Sequence, residues 1–357
     1  MFVFYCEGEI EMSKRYSVAI VGATGAVGEK MKEQLEKRDF PIKHIKFLAS
    51  KRSVGKTISF QNQTYTIEEA TPEAFEGVDI ALFSAGGSVS KVLAPEAAKR
   101  GAVVIDNTSA FRMDIDVPLV VPEVNPQDLH AHKGIIANPN CSTIQMVVAL
   151  EPIRQAYGLN QVVVSTYQAV SGTGTHAITE LEQQSQTFGE TKDTQATILP
   201  VKSAEKHYPI AFNVIPQIDV FDDNGYTFEE MKMINETKKI LHMPDLAVSA
   251  TCVRLPVVSG HSESVFIQID KDDVTVDDLK KLLADSKGIQ LQDNPAQQEY
   301  PMPLYAEGED PVFVGRIRKD LSNNKGFHLW IVADNLLKGA ALNSIQIAEA
   351  MIEEGIL

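Results

Sequence analysis

The segment SVAIVGATGAVGEKMKEQLEKR, residues 17–38, runs from a buried strand through a glycine turn into a helix, and few folds accept that order. The strand pattern starts near Tyr16 and the helix is expected from about Ala26 to Arg38. Between them Gly22, Gly25 and Gly28 follow a GxxGxxG spacing. Glycine lets the main chain approach a pyrophosphate, whose charge then meets the helix N-terminus. The turn therefore reads as a nucleotide site, with Gly22, Thr24, Gly25, Ala26 and Val27 as its residues; a purely structural turn is the other reading.

Strand and helix keep alternating. IKFLAS, then VDIALFSAGG with a helix over about Ser88 to Arg100, then AVVIDNTS repeat the unit, which implies a parallel sheet with crossover helices. QVVVSTYQAVSG is a strand that ends at a Gly172-Thr173-Gly174 turn, and THAITELEQQSQTF follows as a helix. Residues 189–208 are polar and irregular, a long excursion. TFEEMKMINETKKIL is an amphipathic helix, and AVSATCVRLPVV and HSESVFIQID are strands flanking a Ser259-Gly260 break. HLWIVADN and a helix, KGAALNSIQIAEAMIEE, close the chain, and that helix has the period to return to the first sheet. The fold class is α/β: an N-terminal Rossmann-like dinucleotide-binding domain over 12–140, an α+β catalytic and dimerisation domain over 141–334, and a C-terminal helix over 335–357 returning to the first. Residues 1–11 read as an extension.

A chain of 357 residues suits two domains of about 150 residues each. Its 33 basic and 48 acidic residues leave a formal charge of −15, which argues against a nucleic acid or an anionic membrane as the main partner. Cations for an anionic substrate must be gathered locally. Cys6, Cys141 and Cys252 are far apart and form no CxxC pair, so no disulfide framework or structural zinc is expected and a reducing cytoplasm fits. No apolar run reaches the ~18 residues of a membrane span.

Candidate chemistry collects at a few places. In ANPNCSTIQMVVAL, Pro139 and the capping residue Asn140 precede apolar residues at helical spacing, which puts Cys141 in a first helical turn. The free amides and dipole there are expected to lower a thiol's pKa, as a nucleophile needs; a small residue packed under a helix start is the alternative. After the second strand, Ser50-Lys51-Arg52-Ser53 stands where an NAD enzyme would offer an acid to the ribose, and no Asp or Glu occupies that corner. Ser50, Arg52 and Ser53 suit a 2′-phosphate, or are a solvated basic loop. Arg254 and His261 lie on either side of the Ser259-Gly260 break; a histidine could take and return a thiol's proton, or be structural. Arg112 follows the end of a parallel strand, where ligands of open sheets collect. Glu229 and Lys232 share one helix face, as a surface ion pair would. His130 and His132 have no third ligand nearby, and no metal is assigned.

Together these segments resemble the aspartate-semialdehyde dehydrogenases from about Ser17 to the C-terminus. The motifs are GATGAVG, the NPNCST block, STYQAVSG with Gln168, EEMK, RLPVVSGHSES and DNLLKGAA. The resemblance is to the form seen in many bacteria. It implies NADPH-dependent reduction of L-aspartyl 4-phosphate to the semialdehyde with release of phosphate, on the branch toward lysine, diaminopimelate, threonine and methionine. It implies Cys141 as nucleophile, His261 as general acid/base, and Gln168 and Arg254 holding the substrate beside Asn140. Glu229 would meet the substrate's amino group, and Arg112 and Lys232 the phosphate. Ser84, Gly86, Ser171, Gly172 and Asn335 match positions near an NADP cofactor. A homodimer built through the second domain is implied as well. The nearest alternative is a related acyl-phosphate reductase such as the N-acetylglutamyl-phosphate enzyme, which usually has glycine where Asn140 stands. An inactive nucleotide-binding regulator or scaffold would be expected to lose the thiol, the histidine or the arginine.

Overall fold

Buried apolar runs and amphipathic helices alternate through the first third of the chain and build one parallel sheet. In the computed structural model, which describes residues 14–188 and 194–357, β1 (Tyr16–Val21) leads through the glycine turn to α1 (Ala26–Lys37) and β2 (Ile42–Ala49). A hairpin of β3 (Thr57–Phe60) and β4 (Gln63–Thr66) and a short β5 (Glu68–Glu69) come next. Then follow β6 (Ile80–Phe83), α2 (Gly87–Lys99), β7 (Val103–Asp106) and β8 (Ile135–Ala137). The sheet order is β5-β2-β1-β6-β7-β8, with every pair parallel. Successive connections leave β1 in opposite directions, so a crevice opens beyond the C-terminal ends of β1 and β6. Gly22 (φ +89°) turns the chain there, and a Cβ on it would come within 2.9 Å of Ser84 Oγ.

The second unit starts with α3 (Cys141–Tyr157), whose Ile144, Val147, Leu150 and Ile153 are fully buried in the larger core. β9 (Gln161–Gln168), α4 (Thr175–Thr187), α5 (Phe228–Ile240), β10 (Ala247–Arg254) and β11 (His261–Gln268) follow. The chain continues with α6 (Val276–Ala284), β12 (Ile289–Leu291), the single turn α7 (Pro303–Ala306), β13 (Val312–Lys319) and β14 (Gly326–Ala333). These strands form a mixed sheet, β10-β9-β11-β14-β13-β12, in which β9 and β10 run parallel and β11 antiparallel to β9. Val162, Val164, Val265 and Leu329 face α3 and the core. The opposite face, with Val163, Tyr167, Phe266 and Trp330, is only partly buried.

The closing helix does return to the first sheet: in α8 (Leu342–Glu353), Ile345, Ile347, Ala348 and Met351 share a core with Met31 and Leu35 of α1. It does not start as an α-helix. Residues Leu337–Ala341 form a π-turn, in which Gly339 N–H donates to Asp334 O at 3.2 Å and Ala341 N–H to Leu336 O at 3.0 Å, each five residues back. The basic corner after β2 also differs from its reading. Glu68 and Glu69 of β5 pair with Leu48 and Ala49, so chain pairing brings two exposed acids beside Ser50, from a segment eighteen residues away in sequence. The stretch 194–208 holds no helix or strand, as its composition implied; the remainder of that excursion and the extension 1–11 lie outside the described residues. Among the described residues no helix is long and apolar enough to cross a membrane.

Candidate active site

The C-terminal ends of the parallel sheet face one end of the mixed sheet across a cleft of about 640 Å³. Its wall includes Gly25, Ala26 and Val27 from the glycine turn, Ser84 and Gly86 after β6, and Arg112 after β7. Asn140 and Cys141 at the start of α3, Gln168, Ser171 and Gly172 after β9, Glu229 and Lys232 on α5, Arg254 and Asn335 also line it, whereas His261 is fully buried behind the wall. Gly22 lies beneath the turn, and Thr24, Ser50, Arg52 and Ser53 lie outside the cleft wall. The last three stand on a 3₁₀ turn, Lys51–Ser53, capped by Ser50, directly beyond the strand end whose Leu48 carbonyl accepts from Gly22 N–H at 2.8 Å.

Cys141 is the first residue of its helix because Asn140 caps it: Asn140 Oδ1 accepts from the N–H groups of Ser142 at 3.0 Å and Thr143 at 3.2 Å. The expected lowering of the thiol's pKa is overturned. Burial, reinforced by Glu229, pushes Cys141 up to about 12, against the pull of Arg112, Arg254 and the Ser142 N–H. Desolvation of the thiolate outweighs the helix end, so the thiol holds its proton.

Strand pairing brings Arg254 and His261 together, which the Ser259-Gly260 break had left open. Arg254 pairs with Gln168 at the ends of β10 and β9, and His261 starts β11 alongside. A Cβ on Gly172 would lie 3.1 Å from Arg254 Nη1 and 3.3 Å from His261 Nε2, so both side chains converge under that glycine. His261 Nδ1 accepts from Ala169 N–H at 3.1 Å, which puts the ring proton of the neutral imidazole on Nε2. Burial, with Arg254 adding, pushes His261 down to about 3. Among the described residues Nε2 has no hydrogen-bond partner, the Cys141 thiol included. The ring as held is a donor on the side of Gly172; the expectation that it takes the thiol's proton requires its other tautomer.

The carboxylate of Glu229 organises the opposite wall. Oε1 accepts from Asn140 Nδ2 at 2.8 Å and Gln168 Nε2 at 3.2 Å, and Oε2 from Lys232 Nζ at 3.1 Å. Burial alone would raise its pKa, but Lys232 and these hydrogen bonds prevail and hold it down at about 2. Lys232 is half-buried and also meets Asp219 at 2.9 Å, so the pair is a wall of the cleft rather than a surface ornament. Arg112 is likewise paired, with Glu236 at 3.0 Å.

Two neighbours of Cys141 escaped sequence reading. One is Glu236, two helical turns beyond Glu229 on the same helix. The other is Gly339 of the π-turn, where a Cβ would come within 2.7 Å of Cys141 Cβ. A glycine inside a helical pattern was the available signal.

Glu263, two residues along the strand from His261, is fully buried with the Gln145 side chain beside it. Burial raises its pKa well above 4.5. From pH 4.5 up to that raised value the folded chain keeps a proton that the unfolded chain releases, so this site's contribution to stability falls as pH rises. Glu263→Gln is expected to remove that dependence. Urea denaturation at several pH values should show the variant gaining on the parent by about 1.4 kcal/mol per pH unit within the window; parallel curves would show that Glu263 ionises normally.

Comparison with known proteins agrees with this architecture. Residues 17–132 match the family model described as semialdehyde dehydrogenase, NAD binding domain, and residues 150–338 the model described as semialdehyde dehydrogenase, dimerisation domain. The aspartate-semialdehyde dehydrogenase of Bacillus subtilis (strain 168) is 66% identical over 340 residues, covering 95% of this chain and 98% of that one. The chain belongs to the aspartate-semialdehyde dehydrogenase family. It carries aspartate-semialdehyde dehydrogenase activity, in the biosynthesis of the aspartate family of amino acids. Among solved aspartate-semialdehyde dehydrogenases, enzyme II of Vibrio cholerae, complexed with ASA, superposes with a TM-score of 0.89 at 47% identity, covering 96% of this chain and 99% of that one. The Candida albicans enzyme with NADP gives 0.75 at 25% identity, covering 96% and 100%.

Proposed function

We propose that this aspartate-semialdehyde dehydrogenase reduces L-aspartyl 4-phosphate with NADPH through a thioester on Cys141, using His261 as the acid and Arg254 as the clamp for the substrate carboxylate. The observation that carries the reading is the convergence of Arg254 and the buried His261 under Gly172, which lines the same cleft as Cys141 and Arg254. The thiol attacks the acyl carbon, the carbon–oxygen bond to phosphate breaks, and the thiol's proton leaves on the phosphate. A thiol held protonated has to give up that proton as sulfur attacks, and the departing phosphate is the acceptor. His261 Nε2–H then faces the carbonyl oxygen as charge develops on it. Arg254 offers a planar fork to a carboxylate, and Arg112 and Lys232 supply cations for phosphate on a chain of net charge −15. Gln168, Asn140 and Glu229 hold one another in place around the substrate's amino end.

A dinucleotide fits the residues present. The first turn of α1 has no side-chain cap on Gly25, leaving its N–H groups for a pyrophosphate, and a Cβ at Gly28 would run into the Gly22 carbonyl. Gly25, Ala26, Val27, Ser84 and Gly86 would hold the phosphates and ribose, and Ser171, Gly172 and Asn335 would line the nicotinamide end. When bound, the nicotinamide supplies the hydride. Ser50, Arg52 and Ser53 favour NADP over NAD through charge-assisted hydrogen bonds to the 2′-phosphate, against Glu68 and Glu69 nearby. Arg52→Ala is expected to erode the preference by about tenfold or more, read as the ratio of kcat/KM for the two cofactors; an unchanged ratio would make the corner a solvated loop.

The assay that tests the whole reading follows NADP reduction with aspartate semialdehyde and phosphate beside the N-acetylglutamate semialdehyde. Turnover of the latter alone would sink it. The partly buried sheet face bearing Val163, Tyr167, Phe266 and Trp330 supports a homodimer through the second unit. The free thiols Cys141 and Cys252 suit a reducing cytoplasm.

A further inference from the structure

Helix α5 presents Glu229, Lys232, Glu236 and Lys239 at spacings of three, four and three, so they share one face. The first two line the cleft. Glu236 sits behind it, buried, and adds a side-chain bridge between Arg112 and the segment leading into Cys141, which Arg112 also meets directly at Asn138 O. Its Oε1 accepts from Arg112 Nη1 at 3.0 Å, and its Oε2 accepts from the main-chain N–H of Asn140 at 2.6 Å, one residue before the nucleophile. Arg112 is further fixed by Nε donating to Asn138 O at 3.0 Å and Nη2 to Asn107 O at 2.8 Å. Lys239 pins the same loop from below, with Nζ donating to the carbonyls of Arg112 at 2.8 Å, Asp114 at 2.8 Å and Val117 at 2.9 Å.

A buried carboxylate that only neutralised an arginine could spend both oxygens on the guanidinium, as a bidentate fork allows. Glu236 instead divides them between the guanidinium and the main chain leading into Cys141. We propose that Glu236 is a positioning residue for the reaction: it fixes the Arg112 guanidinium at a set offset from the Cys141 thiol, so that a phosphate held by Arg112 is the leaving group at the carbon the thiol attacks. The inference rests on the reading of Arg112 as a phosphate partner. It predicts that Glu236 acts on phosphate through Arg112 and leaves the semialdehyde's own clamp, Arg254, untouched.

The test is a double-mutant cycle on the purified enzyme, with Arg112→Ala, Glu236→Gln and the double variant assayed for the KM of phosphate, the KM of semialdehyde and kcat. Glu236→Gln is expected to raise the phosphate KM by about tenfold or more and to lower kcat, with the semialdehyde KM within about twofold of the parent. In the Arg112→Ala background it should raise the phosphate KM no further. An unchanged phosphate KM in Arg112→Ala overturns the phosphate reading of Arg112 itself. A raised KM there with an unchanged one in Glu236→Gln, or effects that add fully, overturns the positioning role alone. If Glu236→Gln does not fold, Glu236→Asp, which keeps the charge one methylene short, must show the same split; an equal rise in both KM values would mark a merely structural residue.

Discussion

Cys141→Ser is expected to fold as the parent does and to lose turnover by on the order of 10⁴–10⁶-fold, the scale seen when a nucleophile is removed. Serine fits the space: it is no larger than cysteine, and the wall formed by Gly339 tolerates no added bulk. The Asn140 cap that starts the helix is made to Ser142 and Thr143, so it survives the substitution. What is lost is chemistry. An alkoxide is a far poorer leaving group than a thiolate, so an ester formed on the substituted hydroxyl would neither accept hydride readily nor release an aldehyde. Circular dichroism and cofactor binding should match the parent while initial rates vanish; substantial turnover in the pure variant would end the covalent mechanism.

His261→Ala is expected to cost about 10²–10⁴-fold in kcat, the range for a positioned acid. Cofactor binding should persist through the glycine turn, since the ring's neighbours are Ala169, Arg254 and Gly172, the last at the nicotinamide end alone. The variant also leaves Ala169 N–H without its partner, which by itself costs about 1–3 kcal/mol of stability. Rate and stability therefore have to be measured together. A loss of melting temperature with an intact kcat would make His261 a structural residue.

β1, β2, β6 and β7 and the two helices of the first unit are legible because each carries its own period, whereas the β3–β4 hairpin and the short β8 are not, and the glycine turn announces itself by falling between a strand and a helix. Pro139 and Asn140 alone place Cys141 at a helix start, since a cap is a local event. The convergence of Arg254 with His261 is not legible, because it depends on β9 pairing with β10 on one side and β11 on the other. Glu68 and Glu69 reach the cofactor corner for the same reason, through a strand of two residues too short to show a pattern. The helix end misleads about the charge state of Cys141 because burial is a property of everything packed around a group. Glu236 is within reach: it continues the stripe of Glu229 and Lys232 one more step along the helix, a periodicity that a motif stopping at EEMK cuts off.

Synthesis of a chain is directional, and here residues 337–353 close the site around a residue made about two hundred positions earlier. Gly339 packs on Cys141, and α8 covers the apolar side of α1, the first of the described helices to leave the ribosome. While residues 337–353 are still in the exit tunnel, Met31 and Leu35 lack their final neighbours and the nucleophile lacks one wall of its pocket. The parallel sheet is thus not a self-sufficient module that could be cut out after β8 and expected to stay soluble. A chain stopped before the π-turn lacks the wall that Gly339 forms against Cys141, so enzymatic competence requires residues 337–353.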